Sequence, residues 1–155
     1  NVRHLNMQFT ALLGKALKSD EVIEVLENFD MSVTYDFDRS YENISDLYWA
    51  PSKEVGFQFR FNKDQVLDVV FVYLVPREGF TAIDRSLLNV QVFETFDEAE
   101  SFCIQANIPY RVSAGEPGTE SYKWWIKLDH AHYTAHYQFK EGQVIMLTLS
   151  AKSDA

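Results

Sequence analysis

Three histidines and an aspartate fall within eight positions and are the residues best suited to bind a metal ion. They are Asp129, His130, His132 and His136. On one strand, the even separations of the histidines would place the imidazoles on the same face, and three imidazoles with a carboxylate suit zinc. However, the segment is predicted to include the turn between two strands, and it has no HExxH signature. We therefore expect turn and strand histidines without a metal or other cofactor, and keep metal binding by His130, His132 and His136 as an alternative.

The nucleophiles and carboxylates do not form a recognisable catalytic set. Ser113 begins the loop sequence SAGEPG, which differs from the GxSxG nucleophile elbow. No P-loop and no GxGxxG motif follows a predicted strand. Asp68 interrupts an apolar strand, where a buried carboxylate needs a partner such as Arg60 on the neighbouring strand; exposure at a sheet edge is the other interpretation. We therefore expect that the chain is not an enzyme.

Aromatic rings alternate with carboxylates between the first predicted helix and the first long strand. The candidate partner-binding residues are Tyr35, Asp36, Asp38, Tyr41, Glu42, Asp46 and Trp49. Carboxylates at this spacing attract a cationic partner, and neighbouring aromatic rings supply buried contacts that anchor it. A solvated loop with a short edge strand is the other interpretation of the segment.

Residues 57–71 and 135–149 share one pattern: an alternating aromatic strand, a polar turn and an aliphatic strand. The aligned pairs are Phe61 with Phe139, Leu67 with Ile145 and Phe71 with Leu149. Two copies of one hairpin predict a duplicated unit, with internal repeats at about 8–79 and 80–150.

Each predicted repeat contains a helix and then about three antiparallel strands. Ser19 marks the start of the first helix, and Thr95 with Glu98 forms a capping box at the start of the second. Trp124 and Trp125 are adjacent in a predicted strand, so one should be buried and the other exposed. These elements predict an α+β fold, with two tandem helix-plus-meander repeats that form one sheet and helices on one of its faces.

The composition is that of a single globular domain covering residues 1–155. The chain is 46% hydrophobic and 15% aromatic, which is sufficient for a packed core. Its length allows roughly 68–70% of the unfolded surface to be buried. The single cysteine, Cys103, lies in an apolar helical pattern and is expected to be a buried, inert thiol.

The chain is acidic, with a net charge of −9. Such a surface repels nucleic-acid phosphates and anionic lipids, and it attracts basic partners. No run of about 18 apolar residues predicts a membrane span, and the first residues lack the apolar core of a signal peptide. We therefore expect a cytoplasmic protein that binds neither nucleic acid nor membrane.

Several sequence blocks resemble small bacterial immunity proteins, which neutralise toxins exchanged between competing cells. The blocks are LLGK at 12–15, SDEV at 19–22, FQFRF at 57–61, VLDVVFVYL at 66–74, EGF at 78–80, WWIKLD at 124–129 and YQFKEGQV at 137–144. The repeated helix-plus-meander layout is also similar to β-lactamase inhibitory protein and to small outer-membrane assembly lipoproteins. The chain has no signal peptide and no lipidated N-terminal cysteine, so an outer-membrane role is not expected.

This resemblance implies a cytoplasmic immunity protein that binds a cognate toxin domain, such as a basic nuclease, and covers its active-site surface. The acidic and aromatic residues between Tyr35 and Trp49 would make the contact. Two other classes of function stay open. One is a small-molecule or metal-binding domain that uses the open sheet face, and the other is a homo-oligomer joined through strand edges.

Overall fold

The computed structural model describes residues 7–36 and 46–152. Within these ranges the protein has three α-helices, one 3-10 helix (Arg85–Leu87) and one antiparallel sheet of eight strands. The helices are α1 (Phe9–Leu12), α2 (Asp20–Asn28) and α3 (Phe96–Ala106). The strands are β1 (Thr34–Asp36), β2 (Leu47–Ser52), β3 (Phe57–Phe61), β4 (Leu67–Tyr73), β5 (Tyr110–Val112), β6 (Trp125–Asp129), β7 (Tyr133–Lys140) and β8 (Gln143–Ala151). The predicted α+β class is confirmed.

The two longer helices begin where the sequence predicts. The Ser19 hydroxyl accepts a hydrogen bond from the backbone N–H of Val22 at the start of α2. Thr95 caps α3 by accepting from the N–H of Glu98. The Glu98 carboxylate accepts from the N–H of Glu94 rather than from that of Thr95, so the reciprocal half of the predicted capping box is displaced by one residue.

One face of the sheet forms the core, and the helices cover it. In β3, Phe57, Phe59 and Phe61 are fully buried and alternate with partly exposed polar residues, as the period-2 pattern predicts. The Phe9 ring of α1 lies 5.1 Å from that of Phe57. From α3, Cys103 reaches the same core and is buried, as expected. The opposite face of the sheet carries no helix within the described residues.

The strand order is β1-β2-β3-β4-β8-β7-β6-β5, so two four-stranded meanders meet at β4 and β8. Each meander has four strands, whereas about three were predicted. The first strands of the two meanders, β1 and β5, are only three residues long and form the two edges of the sheet. An edge strand was predicted in the region of β1, and none was predicted at β5. A strand of this length is too short to show a hydrophobic period.

The strand pairing corrects the alignment of the two hairpins by one residue. Phe61 pairs with Leu67, and Phe139 pairs with Val144. The second turn is therefore one residue shorter, and Val144 rather than Ile145 is the counterpart of Leu67. Both hairpins also have a register shift immediately before the aligned phenylalanine.

With the corrected alignment, Phe71 and Thr148 are counterparts, and they lie directly opposite each other in the β4–β8 pair. Val70 faces Leu149 and Val72 faces Leu147 on either side of them. This is the register expected of two similar meanders that pair about a two-fold axis. The duplication itself stays a prediction. None of the helices in the described ranges is both long and apolar enough to cross a membrane.

Replacing Phe59 by alanine should lower the free energy of unfolding by about 3–5 kcal/mol, because it removes a fully buried ring that contacts three other phenylalanines. The matched change Phe71→Ala removes a partly exposed ring from the open face and should cost about 1–2 kcal/mol. Urea unfolding of both variants measures the difference. Equal losses would contradict the assignment of the two faces.

Candidate functional site

The predicted acidic and aromatic segment lies at the β1 edge of the sheet. Tyr35 and Asp36 are exposed in β1, Asp46 is exposed just before β2, and Trp49 is partly exposed in β2. Asp38, Tyr41 and Glu42 lie outside the described residues. The position of the segment at an edge agrees with the predicted edge strand and gives the described members access to a partner.

The two described aromatic candidates, Tyr35 and Trp49, lie on opposite sides of the sheet. Tyr35 pairs with Tyr48, and their rings are 5.0 Å apart on the helix-covered side. Trp49 points to the open side and stacks on Phe71 at 5.9 Å. The cause is the alternation of side chains in β2, which sends neighbouring residues to opposite faces. The predicted aromatic contacts, Tyr35 and Trp49, therefore lie on both faces of the sheet edge and do not form one continuous surface.

Helix α2 adds carboxylates immediately before this edge. Asp20, Glu21, Glu24 and Glu27 are exposed at spacings of three and four residues, which place them on one side of the helix. The last turn of α2 contains no basic residue. We refer to residues 20–36, which include α2, Asp30 and β1, as the acidic segment. These glutamates are not among the partner-binding residues predicted from the sequence.

The charges of the acidic segment are mostly uncompensated. Lys15 approaches Glu21 at 3.7 Å, whereas no ion pair in the described part of the chain involves Glu24, Glu27 or Asp36. Like charges three or four residues apart destabilise a helix, and acidic residues near its C-terminal end oppose the helix dipole. Asp20 and Glu21 lie in the first turn, where the helix dipole favours them, but Glu24 and Glu27 do not serve the stability of α2.

The open sheet face carries a bidentate ion pair at its centre. The Arg60 guanidinium donates to both carboxylate oxygens of Asp68, at 3.2 and 3.0 Å. This confirms the predicted pairing and excludes the alternative, because β4 is an inner strand and Asp68 does not lie at a sheet edge. The pair neutralises the only carboxylate in β4 and explains how that apolar strand contains it.

Two tryptophans occupy corresponding positions on the open face. Trp49 pairs with Arg60, and Trp125 pairs with Gln138. Each partner immediately precedes an aligned phenylalanine, so the two tryptophans correspond in the two meanders. The prediction that Trp124 or Trp125 is a core residue is wrong, because Trp124 is exposed and Trp125 is partly exposed on the open face.

The three predicted histidines are not gathered into a site. His130 and His132 lie in the connection between β6 and β7, and His136 lies within β7 on the open face. His130 stacks on Tyr133 at 4.6 Å, and His136 lies 5.0 Å from the Trp125 ring. Among the described residues, no group of three His, Cys, Asp or Glu side chains is arranged to hold a metal ion. The connection between β6 and β7 holds His130 and His132, whereas His136 lies within β7.

A row of basic groups crosses the open face near the β5 edge. Arg111 in β5 lies opposite Lys127 in β6, and Lys127 lies opposite His136 in β7. Burial lowers the pKa of His136, and the nearby Lys127 ammonium lowers it further. This row was not predictable from the sequence, because its members come from three strands, one of which is too short to show a period.

A shallow depression of about 510 Å³ lies beside α3 on the other side of the molecule. Phe93, Phe102 and Asp97 are among its lining residues. The Asp97 carboxylate accepts a hydrogen bond from Lys123 at 2.8 Å. The depression therefore provides apolar contacts from Phe93 and Phe102, and the Asp97 carboxylate in it is already bound by Lys123.

Comparisons with protein-family models, with curated proteins and with solved structures found no match to this chain.

The lowered pKa of His136 should make the stability depend on pH. An unfolded imidazole with a pKa of 6.5 binds a proton more readily than the folded one, so the free energy of unfolding should fall as the pH drops below about 6.5. His136→Gln removes this contribution, and its stability should fall less than that of the wild type between about pH 7.5 and pH 5. Urea unfolding at both pH values measures this, and identical pH dependence would contradict it.

Proposed function

We propose that this chain is a cytoplasmic immunity protein that binds a basic toxin domain, such as a nuclease, and covers its active-site surface without catalysing a reaction. The observation that supports the proposal best is the acidic segment at the β1 edge. It presents uncompensated carboxylates from α2 and β1 on one continuous stretch of chain. A phosphate-binding cleft is basic, so this surface is complementary to the part of a nuclease that must be blocked.

Electrostatic attraction would act first, during the approach of the toxin. Opposite charges on two proteins increase the association rate, and the increase is largest at low ionic strength. Glu24, Glu27 and Asp36 are exposed, and no lysine or arginine within the described ranges pairs with them. These carboxylates are therefore available to lysines and arginines of a partner.

The aromatic residues beside the carboxylates would then hold the complex together. Tyr35 is 44% exposed at the edge, and Trp49 is partly exposed around the corner on the open face. Tyrosine and tryptophan are enriched among the residues that dominate binding energies at interfaces. Because Tyr35 and Trp49 lie on opposite faces of the sheet, a bound toxin would contact both faces at this edge.

Reversing the charge of the acidic segment should weaken toxin binding specifically. The test variant is Glu24→Lys, Glu27→Lys, Asp36→Lys. The ligand is the toxin domain that the proposal expects from a neighbouring gene, with its active site disabled. We expect the dissociation constant to rise by about a hundredfold at low salt, equivalent to about 2.7 kcal/mol, because three favourable charge contacts become repulsive. Titration calorimetry at low and high salt measures the change.

The matched control is Glu54→Lys, Glu78→Lys, Glu141→Lys, which changes the net charge equally at exposed turn positions elsewhere. It should raise the dissociation constant less than about fivefold, since only the long-range charge changes. Toxin-expressing cells should survive with the control and die with the test variant. Equal weakening by both variants, or no binding by the wild type, would reject the proposal.

A further inference from the structure

The second edge of the sheet, at β5, gathers exposed apolar side chains. Ile104, Val112, Tyr122 and Trp124 are 62%, 42%, 41% and 46% exposed. Val112 belongs to β5, Tyr122 and Trp124 precede β6, and Ile104 lies on α3, which packs against β6. A group of large apolar residues beside one structural element is typical of a surface that binds another protein.

The backbone of β5 is held firmly on its inner side and is open on its outer side. The N–H of Asp129 donates to Pro109 at 2.9 Å, and the N–H of Ser113 donates to Trp125 at 3.1 Å. In an antiparallel pair the hydrogen-bonded positions alternate along the strand. The backbone groups of the odd-numbered residues from Pro109 to Ser113 therefore point towards β6. The N–H and C=O groups of Tyr110 and Val112 consequently point outward, where no strand of the described chain pairs with them.

The charges near this edge indicate the chemistry of what binds there. Arg111 and Lys127 lie directly opposite each other on the open face, and like charges at opposed positions destabilise a sheet. Asp129, on the same face of β6, forms an ion pair with Lys152 at 2.5 Å and interacts less strongly with Arg111. An added carboxylate next to Arg111 would offset the repulsion between the two cations.

A second copy of this chain fits the edge poorly. If two β5 strands paired antiparallel about their centres, each Arg111 would lie opposite the other Arg111, with Lys127 beside both. A strand from another protein has no such constraint. Residues opposite Tyr110 and Val112 would project to the helix-covered side near Trp124, and the residue opposite Arg111 would project to the open face.

We propose that β5 binds an extended segment of a partner protein by strand addition, and that this segment alternates apolar residues with acidic ones. Its backbone pairs with Tyr110 and Val112, its carboxylates contact Arg111 and Lys127, and its apolar side chains cover Val112 and Trp124. This surface lies at the sheet edge opposite the acidic segment and prefers the opposite charge. It is therefore a second site, which stands whether or not the acidic segment binds a toxin.

The probe is a short, capped peptide in which valine alternates with glutamate, compared with a peptide in which lysine replaces each glutamate. We expect the glutamate peptide to bind at least about tenfold more tightly, with amide exchange at Tyr110 and Val112 slowed in the complex. Isotope-edited NMR on the whole chain gives both readouts. No slowing at these amides, or equal affinity for both peptides, would overturn the proposal.

Two variants separate the backbone contribution from the charge contribution. Val112→Pro removes an outward N–H and leaves the inner bonds to β6 intact, so binding should be lost while the circular dichroism spectrum is retained. Arg111→Glu should abolish the preference for the glutamate peptide, because the introduced carboxylate would pair with Lys127. Lys140→Glu, the same charge change at the exposed end of β7, should leave the preference unchanged. A preference that survives Arg111→Glu would overturn the assigned contact.

Two further measurements test the proposal: the oligomeric state of the wild type, and peptide binding by the variant with the charge-reversed acidic segment. A wild-type dimer in light scattering that Val112→Pro dissociates would overturn the proposal in favour of a second copy at this edge. The charge-reversed acidic segment, Glu24→Lys, Glu27→Lys, Asp36→Lys, should bind the glutamate peptide within about twofold of the wild type or slightly more tightly. Loss of peptide binding by that variant would show that the two sites are not separate and would overturn the proposal.

Discussion

The pairing of β4 with β8 is the constraint on which the rest of the structure depends. It joins two meanders into one eight-stranded sheet within the described residues and aligns their apolar rows, with Val70 facing Leu149 and Val72 facing Leu147. Because side chains alternate along every strand, this register places all the apolar rows on one face, where the helices cover them. If the pairing of β4 with β8 shifted by one residue, the core residues of one meander would lie on the same face as the open-face residues of the other.

This join also decides which strands are exposed. Strands β4 and β8 are central, so the chain segments that begin each meander, β1 and β5, become the two edges. An unpaired edge is a template for another strand, and proteins usually protect it. The β1 edge carries carboxylates, and the β5 edge carries apolar side chains around Arg111. The two edges of the sheet therefore suit partners of opposite charge. The net charge of −9 does not show this difference, because it is a sum over the whole chain.

The candidate residues were predictable where adjacent strands are long and close in sequence. Arg60 and Asp68 belong to one hairpin, so the alternation of β3 and β4 was enough to predict their ion pair. Tyr35 and Trp49 were predicted as one anchor but lie on opposite faces, since the pairing of β1 with β2 was not known. The basic row through Arg111 and Lys127 was not predictable, because a three-residue strand has no detectable period.

The amino-acid sequence by itself determined the local structure: the helix starts at Ser19 and Thr95, the two long hairpins, the α+β class and the acidic balance of charge. The helix starts and the hairpins depend on residues within one or two turns or one hairpin of each other, and the charge depends on composition alone. Only the tertiary structure decided that β4 pairs with β8, that the second hairpin turn is one residue shorter, and that β1 and β5 are the edges. The reason is that the backbone groups of any two strands can form hydrogen bonds with each other. The native pairing is the one that buries the apolar side chains of all the strands on one face, and this depends on the whole chain.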